Sequence, residues 1–249
     1  MPAHGYEATP LKVYAQMADN VYKVPDRGAL MTNLSGEWRV VGHGVGEANL
    51  GTMHDADSGF KGCIYMSDNE VVVCYKGTGG GELANDLRAD VKLAVGLIPR
   101  EASAANSLFK NSLQFVGKRT ITIVGHSLGG GLTQVVASWY SERFITFNAP
   151  PMLGCLKKSA YNIFKPQQML RRRGTMENSG RGGRNFRVQG DPVSSSHTSV
   201  YGHYGPVHTF TTGCSFISAH SMSKFVAYLN GSNLGNLSPW HYCNPDGRS

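Results

Sequence analysis

Apolar positions along this chain recur with two spacings, and the spacing changes at clear boundaries. Leu11, Tyr14, Met17, Ala18, Val21 and Tyr22 lie three or four residues apart, which predicts an amphipathic helix over 10–22. The apolar cluster Trp38–Val41 predicts a first strand. The runs 62–66 and 71–75 flank Ser67-Asp68-Asn69-Glu70 and predict a hairpin. A two-residue loop at Asp68-Asn69 pairs Met66 with Val71, and hence Cys63 with Cys74. Helical spacing returns over 83–97, ahead of Pro99, and again over 101–115, where Ala105, Leu108, Phe109 and Ser112 share a face. A β-branched run at 121–124 then enters a glycine-rich turn, and 132–143 reads as a helix. Strands are expected at 144–147, 186–189 and 207–210, and a closing helix over His220–Leu229.

Strands alternating with helices predict an α/β fold, a mostly parallel central sheet flanked by helices on both faces. The reading is one domain over residues 1–230, interrupted by a basic insertion at about 152–187. A tail over 231–249 follows, which Trp240 and Tyr242 tack back to the body. A length of 249 residues suits one sizeable core. No apolar run of about 18 residues occurs, so no transmembrane helix is expected. The first residues lack a basic segment followed by an apolar one, so no signal peptide is expected either. A cytoplasmic protein is the default expectation, with export by a non-classical route as the other.

The five cysteines, Cys63, Cys74, Cys155, Cys214 and Cys243, show neither CxxC pairs nor Cys/His ligand spacing, which argues against a structural zinc site. A cross-strand Cys63–Cys74 disulfide is conceivable, but reduced core thiols are the expectation.

The turn at Gly125-His126-Ser127-Leu128-Gly129 is the centre of the candidate chemistry. A strand entering a sharp turn and leaving as a helix is what a nucleophile elbow requires. Ser127 is then exposed at the tip, with the Leu128 amide aimed at a developing oxyanion. A serine hydroxyl is a poor nucleophile at neutral pH and needs an imidazole base, itself oriented by a carboxylate. In an open parallel sheet such groups gather at the carboxyl ends of the strands. Asp191 and His220 meet that condition in the order Ser, Asp, His. His203 and His208 rival His220, and Asp86 and Asp90 rival Asp191, although both precede the serine. His126 reads as a packing or hydrogen-bonding residue.

Six segments in order resemble the class 3, fungal-type lipases of the α/β-hydrolase fold. They are Val71–Thr78 (the strand ending in Arg-Gly-Ser/Thr), Asp86–Asp90 (Asp-Trp-x-x-Asp), Gly125–Gly129 (unchanged), Phe147–Pro150 (Phe-Gly-x-Pro), Gly190–Val193 and Ile217–His220. The resemblance implies an acyl-enzyme ester hydrolase without metal or cofactor. Ser127 would be its nucleophile, His220 its base and Asp191 its acid, with Thr78 and Leu128 forming the oxyanion hole. It makes Asp86 and Asp90 structural. Three residues depart from the pattern: Lys76 stands for Arg, Leu87 for Trp and Asn148 for Gly. The apolar stretch Leu93–Ile98 is the candidate lid.

The charge is concentrated. Between Lys157 and Arg187 nine basic residues face Glu177 alone, leaving +8, while the whole chain carries +7. Such a segment suits an anionic membrane surface presenting a lipid ester substrate. Gly180-Arg181-Gly182-Gly183-Arg184 also admits a second reading, a hydrolase-fold scaffold that binds RNA or an acidic partner without catalysis. Phe186 is the only aromatic residue between Phe164 and Tyr201, which argues against nucleic acid. Nothing in the pattern sets an oligomeric state.

Overall fold

The computed structural model describes residues 9–23, 38–41, 52–55, 60–77, 99, 101–160, 182–195, 202–213 and 218–241. Among the described residues, eight strands form one sheet: β1 (Arg39–Val40), β2 (Thr52–Asp55), β3 (Phe60–Met66), β4 (Glu70–Tyr75), β5 (Thr120–His126), β6 (Arg143–Phe147), β7 (Gly183–Val188) and β8 (Val207–Phe210). The order is β1-β3-β4-β5-β6-β7-β8, and β2 also pairs with β3. Pairs involving β3 are antiparallel, and β4 through β8 run parallel. The α-helices among the described residues are α1 (Leu11–Asn20), α2 (Ala102–Ser112), α3 (Leu128–Tyr140), α4 (Leu153–Ala160) and α5 (Met222–Asn230).

Strand β4 is buried along its whole length because helices cover both faces of the sheet. Alternate residues point to opposite sides. Val72 and Cys74 join Val124, Ile145 and Phe147 against α1 and α5, whose Leu11, Met17, Phe225 and Leu229 complete that layer. Val71, Val73 and Tyr75 join Ile123 and Phe144 against α2 and α3, through Leu108, Phe109, Leu132 and Val135. The hairpin has the expected register, Met66 opposite Val71 and Cys63 opposite Cys74. Both cysteines are free and buried, and burial pushes the Cys63 thiol up to about 12.

Two helices differ in their bounds from the sequence pattern. The helix after the glycine-rich turn begins at Leu128, not Leu132, because Gly129, Gly130 and Gly131 form its first turn. It ends at Tyr140, where Ser141 turns left-handed (φ 61°) and releases Arg143 into β6. The closing helix begins at Met222, because Ser221 caps it by accepting from the Lys224 amide. His220 therefore ends the 3-10 turn Ser218–His220 ahead of the helix. Beyond Asn230 the chain packs back: the Leu11 amide donates to the Leu237 carbonyl at 2.9 Å, and Arg143 stacks on Trp240 at 4.0 Å. Thr78, Asp86, Asp90, the segment 93–98, Arg171–Arg173 and Tyr242 lie outside the described residues.

At the amino end of β4, Glu70 is buried among hydroxyls. Its carboxylate accepts from Thr9 at 2.8 Å, from Tyr14 at 2.8 Å and from Thr122 at 2.5 Å. These bonds tie α1 to β4 and β5. Burial and the Glu70 charge push the Tyr14 hydroxyl well up, so it stays protonated and donates. Glu70→Ala strands three buried donors and lowers stability by about 2–3 kcal/mol in urea melts. Because Glu70 is at the opposite end of β4 from Ser127, the folded variant keeps its serine chemistry. A melt within about 0.5 kcal/mol of wild type would contradict this account.

Candidate active site

Ser127 is held where few residues can be, at φ 56° and ψ −131°. That left-handed backbone costs on the order of 1–3 kcal/mol and persists only when its surroundings enforce it. They do so here by close packing. The Ser127 amide donates to the Phe147 carbonyl at 3.1 Å, and the Gly131 amide donates back to the Ser127 carbonyl at 3.1 Å. A Cβ at Gly125 would lie 2.3 Å from the Gly129 carbonyl oxygen, and one at Gly129 would lie 2.3 Å from the Tyr75 carbonyl oxygen. The glycines two residues before and after the serine are therefore steric necessities. Leu128 opens α3, so its amide has no acceptor within the helix and lies at the positive end of the helix dipole.

His220 and Asp191 approach Ser127 in line. His220 Nε2 is 2.9 Å from Ser127 Oγ, and His220 Nδ1 is 2.6 Å from Asp191 Oδ1. The Asp191 side chain is fully buried, while that of His220 keeps 13% exposure. Oδ2 of Asp191 accepts from the Ser194 amide at 2.7 Å, which fixes the carboxylate plane. An acceptor-only carboxylate on Nδ1 keeps the neutral imidazole protonated there and leaves Nε2 bare, facing the serine hydroxyl.

Two consecutive carbonyls of the His220 turn are held by side chains from the sheet. Asn148 Nδ2 donates to the Ala219 carbonyl at 2.9 Å, and its Oδ1 accepts from the Val188 amide at 2.9 Å. His126 Nε2 lies 2.8 Å from the His220 carbonyl. Asn148 thus joins the ends of β6 and β7 to the turn that carries the imidazole. It does so at φ 46°, a conformation asparagine tolerates better than most residues. In the sequence, Asn148 stands out only as a departure from glycine. The substitution of one left-handed-tolerant residue for another was the available signal.

The rival histidines do other work. His203 Nε2 donates to the Ser194 carbonyl at 3.1 Å, behind the Asp191 loop, and burial pushes it down to about 4. His208 in β8 stacks on Phe186 at 5.3 Å. Of the three candidate bases, His220 is the one within hydrogen-bonding reach of Ser127. Among the described residues no group of three His, Cys, Asp or Glu is placed to hold a metal ion, and no helix is long and apolar enough to cross a membrane.

Comparison with known proteins agrees with the fold. The extracellular phospholipase A1 of Serratia liquefaciens is 33% identical over 138 residues, covering 54% of this chain and 40% of that protein. The chain thus spans about two fifths of that relative's length. The native propeptide complex of Rhizomucor miehei lipase superposes with a TM-score of 0.50 at 14% identity, over 86% of this chain and 74% of that one. A deletion mutant of the same complex reaches 0.51 at 14% identity, over 96% and 85%. These likenesses show an α/β-hydrolase fold. Residues 13–215 match the phospholipase-like family described as the Tle-like phospholipase domain. That match covers most of the sequence, including the Ser127 elbow and the Asp191 loop, and the chain belongs to the Tle-like phospholipase domain family.

Proposed function

We propose that this chain is a serine hydrolase that cleaves carboxylic esters of phospholipids through an acyl-enzyme. The observation that carries the reading is the line Ser127–His220–Asp191, at 2.9 and 2.6 Å, on a strained elbow. In this reading Ser127 Oγ attacks the ester carbonyl while its proton passes to His220 Nε2. The tetrahedral oxyanion is stabilised by the Leu128 amide and by Thr78, and one such donor contributes about 3 kcal/mol to the transition state. Collapse expels the alcohol, which takes the proton from His220, and leaves the acyl group on Ser127. Water, deprotonated by His220, releases the fatty acid and regenerates the serine. Asp191 holds the imidazole in place and stabilises the imidazolium. No step requires a cofactor.

Family membership and the phospholipase A1 relative support phospholipid as the substrate class. The +8 segment supports an anionic surface as the place where it is met. The test is fatty-acid release from phospholipid vesicles, with and without a fluorophosphonate. A single adduct on Ser127 that stops release is expected. Absence of both release and adduct from folded protein would overturn the reading. Salt and neutralisation of Arg171, Arg172 and Arg173 should slow release from anionic vesicles, and equal rates on neutral ones would remove the surface component.

A further inference from the structure

We infer that Tyr22 is a positioning residue for this site and acts through His126. The inference rests on the hydrolase reading above and concerns how His220 is held. Tyr22 lies in the 3-10 turn Val21–Lys23 after α1. Its Oη accepts from the Gly77 amide at 3.2 Å and lies 2.8 Å from His126 Nδ1. His126 Nε2 lies 2.8 Å from the His220 carbonyl.

Only one arrangement of protons satisfies all three contacts. The His220 carbonyl can only accept, so His126 Nε2 carries the hydrogen. Burial and the neighbouring His220 push the His126 imidazole well down, so it is neutral and Nδ1 is bare. Nδ1 must then receive the Tyr22 hydroxyl hydrogen, and the Tyr22 oxygen in turn receives the Gly77 N–H. Burial pushes the Tyr22 hydroxyl up, which keeps it a donor.

The relay touches three critical points of the chain. Gly77 precedes Thr78, His126 precedes Ser127, and His220 is itself the base. The joint is tight: a Cβ at Gly77 would lie 2.5 Å from Tyr22 Oη and 2.9 Å from Ser127 Cβ. The rings also pack, Tyr22 edge-on to His126 at 5.7 Å and His126 against His220 at 4.8 Å. Without the Tyr22 hydroxyl, His126 is free to place its proton on Nδ1. Nε2 would then turn a lone pair to the His220 carbonyl, and the turn carrying the base would lose one of its two side-chain tethers.

The experiment uses the full chain with nitrogen-15-labelled histidine. Wild type should show His126 as the Nε2–H tautomer, and Tyr22→Phe a mixture. Tyr22→Phe should lower kcat about tenfold with KM changed less than about twofold, and should slow fluorophosphonate labelling alike. His126→Gln keeps an amide donor near the His220 carbonyl and has no tautomer to set. In that background Tyr22→Phe should cost less than about twofold. An Nδ1–H tautomer in wild type, an unchanged kcat in Tyr22→Phe, or the same tenfold loss in both backgrounds would overturn the inference. If wild type neither labels nor hydrolyses, the hydrolase reading fails, and the tautomer still decides the relay.

Discussion

Ser127→Ala eliminates the fluorophosphonate adduct and lowers kcat on phospholipid vesicles by on the order of 10⁶-fold. The variant keeps the elbow, because alanine fits the space of serine and the strained backbone is imposed by Gly125, Gly129 and the Phe147 carbonyl. It loses the oxygen that lies within reach of His220 Nε2. What survives is stabilisation of the oxyanion by the Leu128 amide, acting on attack by water. His220→Ala should fall to a similar floor, and the double variant no further, since the two residues act as a unit. Intact mass after labelling and initial rates of fatty-acid release measure both effects. Retention of more than about a hundredth of wild-type kcat would place the nucleophile elsewhere.

Asp191→Asn lowers kcat about 10⁴-fold and leaves the melting temperature close to wild type. The direction follows from the two bonds of the carboxylate. The Ser194 amide donates to Oδ2, so an asparagine keeps its carbonyl oxygen there. Its NH₂ group must then face His220 Nδ1 at the position of Oδ1. A donor at that place forces Nδ1 to accept and moves the imidazole proton to Nε2. The base then points a hydrogen at Ser127 Oγ and cannot take its proton. Asp191→Ala differs, because it also strands the Ser194 amide in a buried loop and should cost stability. Equal kcat for Asp191→Asn and wild type would show that the carboxylate does not set the tautomer of His220.

Much of this architecture is legible in residue order. The Asp68-Asn69 turn and its flanking apolar runs give the hairpin register down to the Cys63–Cys74 pair, because a two-residue loop leaves one pairing that buries both strands. The elbow is legible because few sequences bring a β-branched strand through two obligatory glycines into a helix. The sequence pattern starts this helix at Leu132 and not at Leu128, since glycine normally signals loop, whereas here Gly129 and Gly130 permit α3 to pass against the ends of β4 and β6. Glu70 looked like a turn residue. Its burial depends on Thr9, Tyr14 and Thr122, which come from three distant parts of the chain.

Residue order alone settles the α/β class, the hairpin and its register, the elbow and the identity of its serine. These depend on local spacing and backbone sterics, which neighbouring residues settle. Which histidine faces Ser127 is settled by the fold, because His203, His208 and His220 are chemically alike and differ in what surrounds them. The fold also brings Asn148 and His126 to consecutive carbonyls of the His220 turn, and Tyr22, 104 residues before His126, to within 2.8 Å of that histidine's Nδ1. Hydrogen bonds between residues so far apart leave no periodic trace. Their donors and acceptors meet only when the sheet brings the strand ends together.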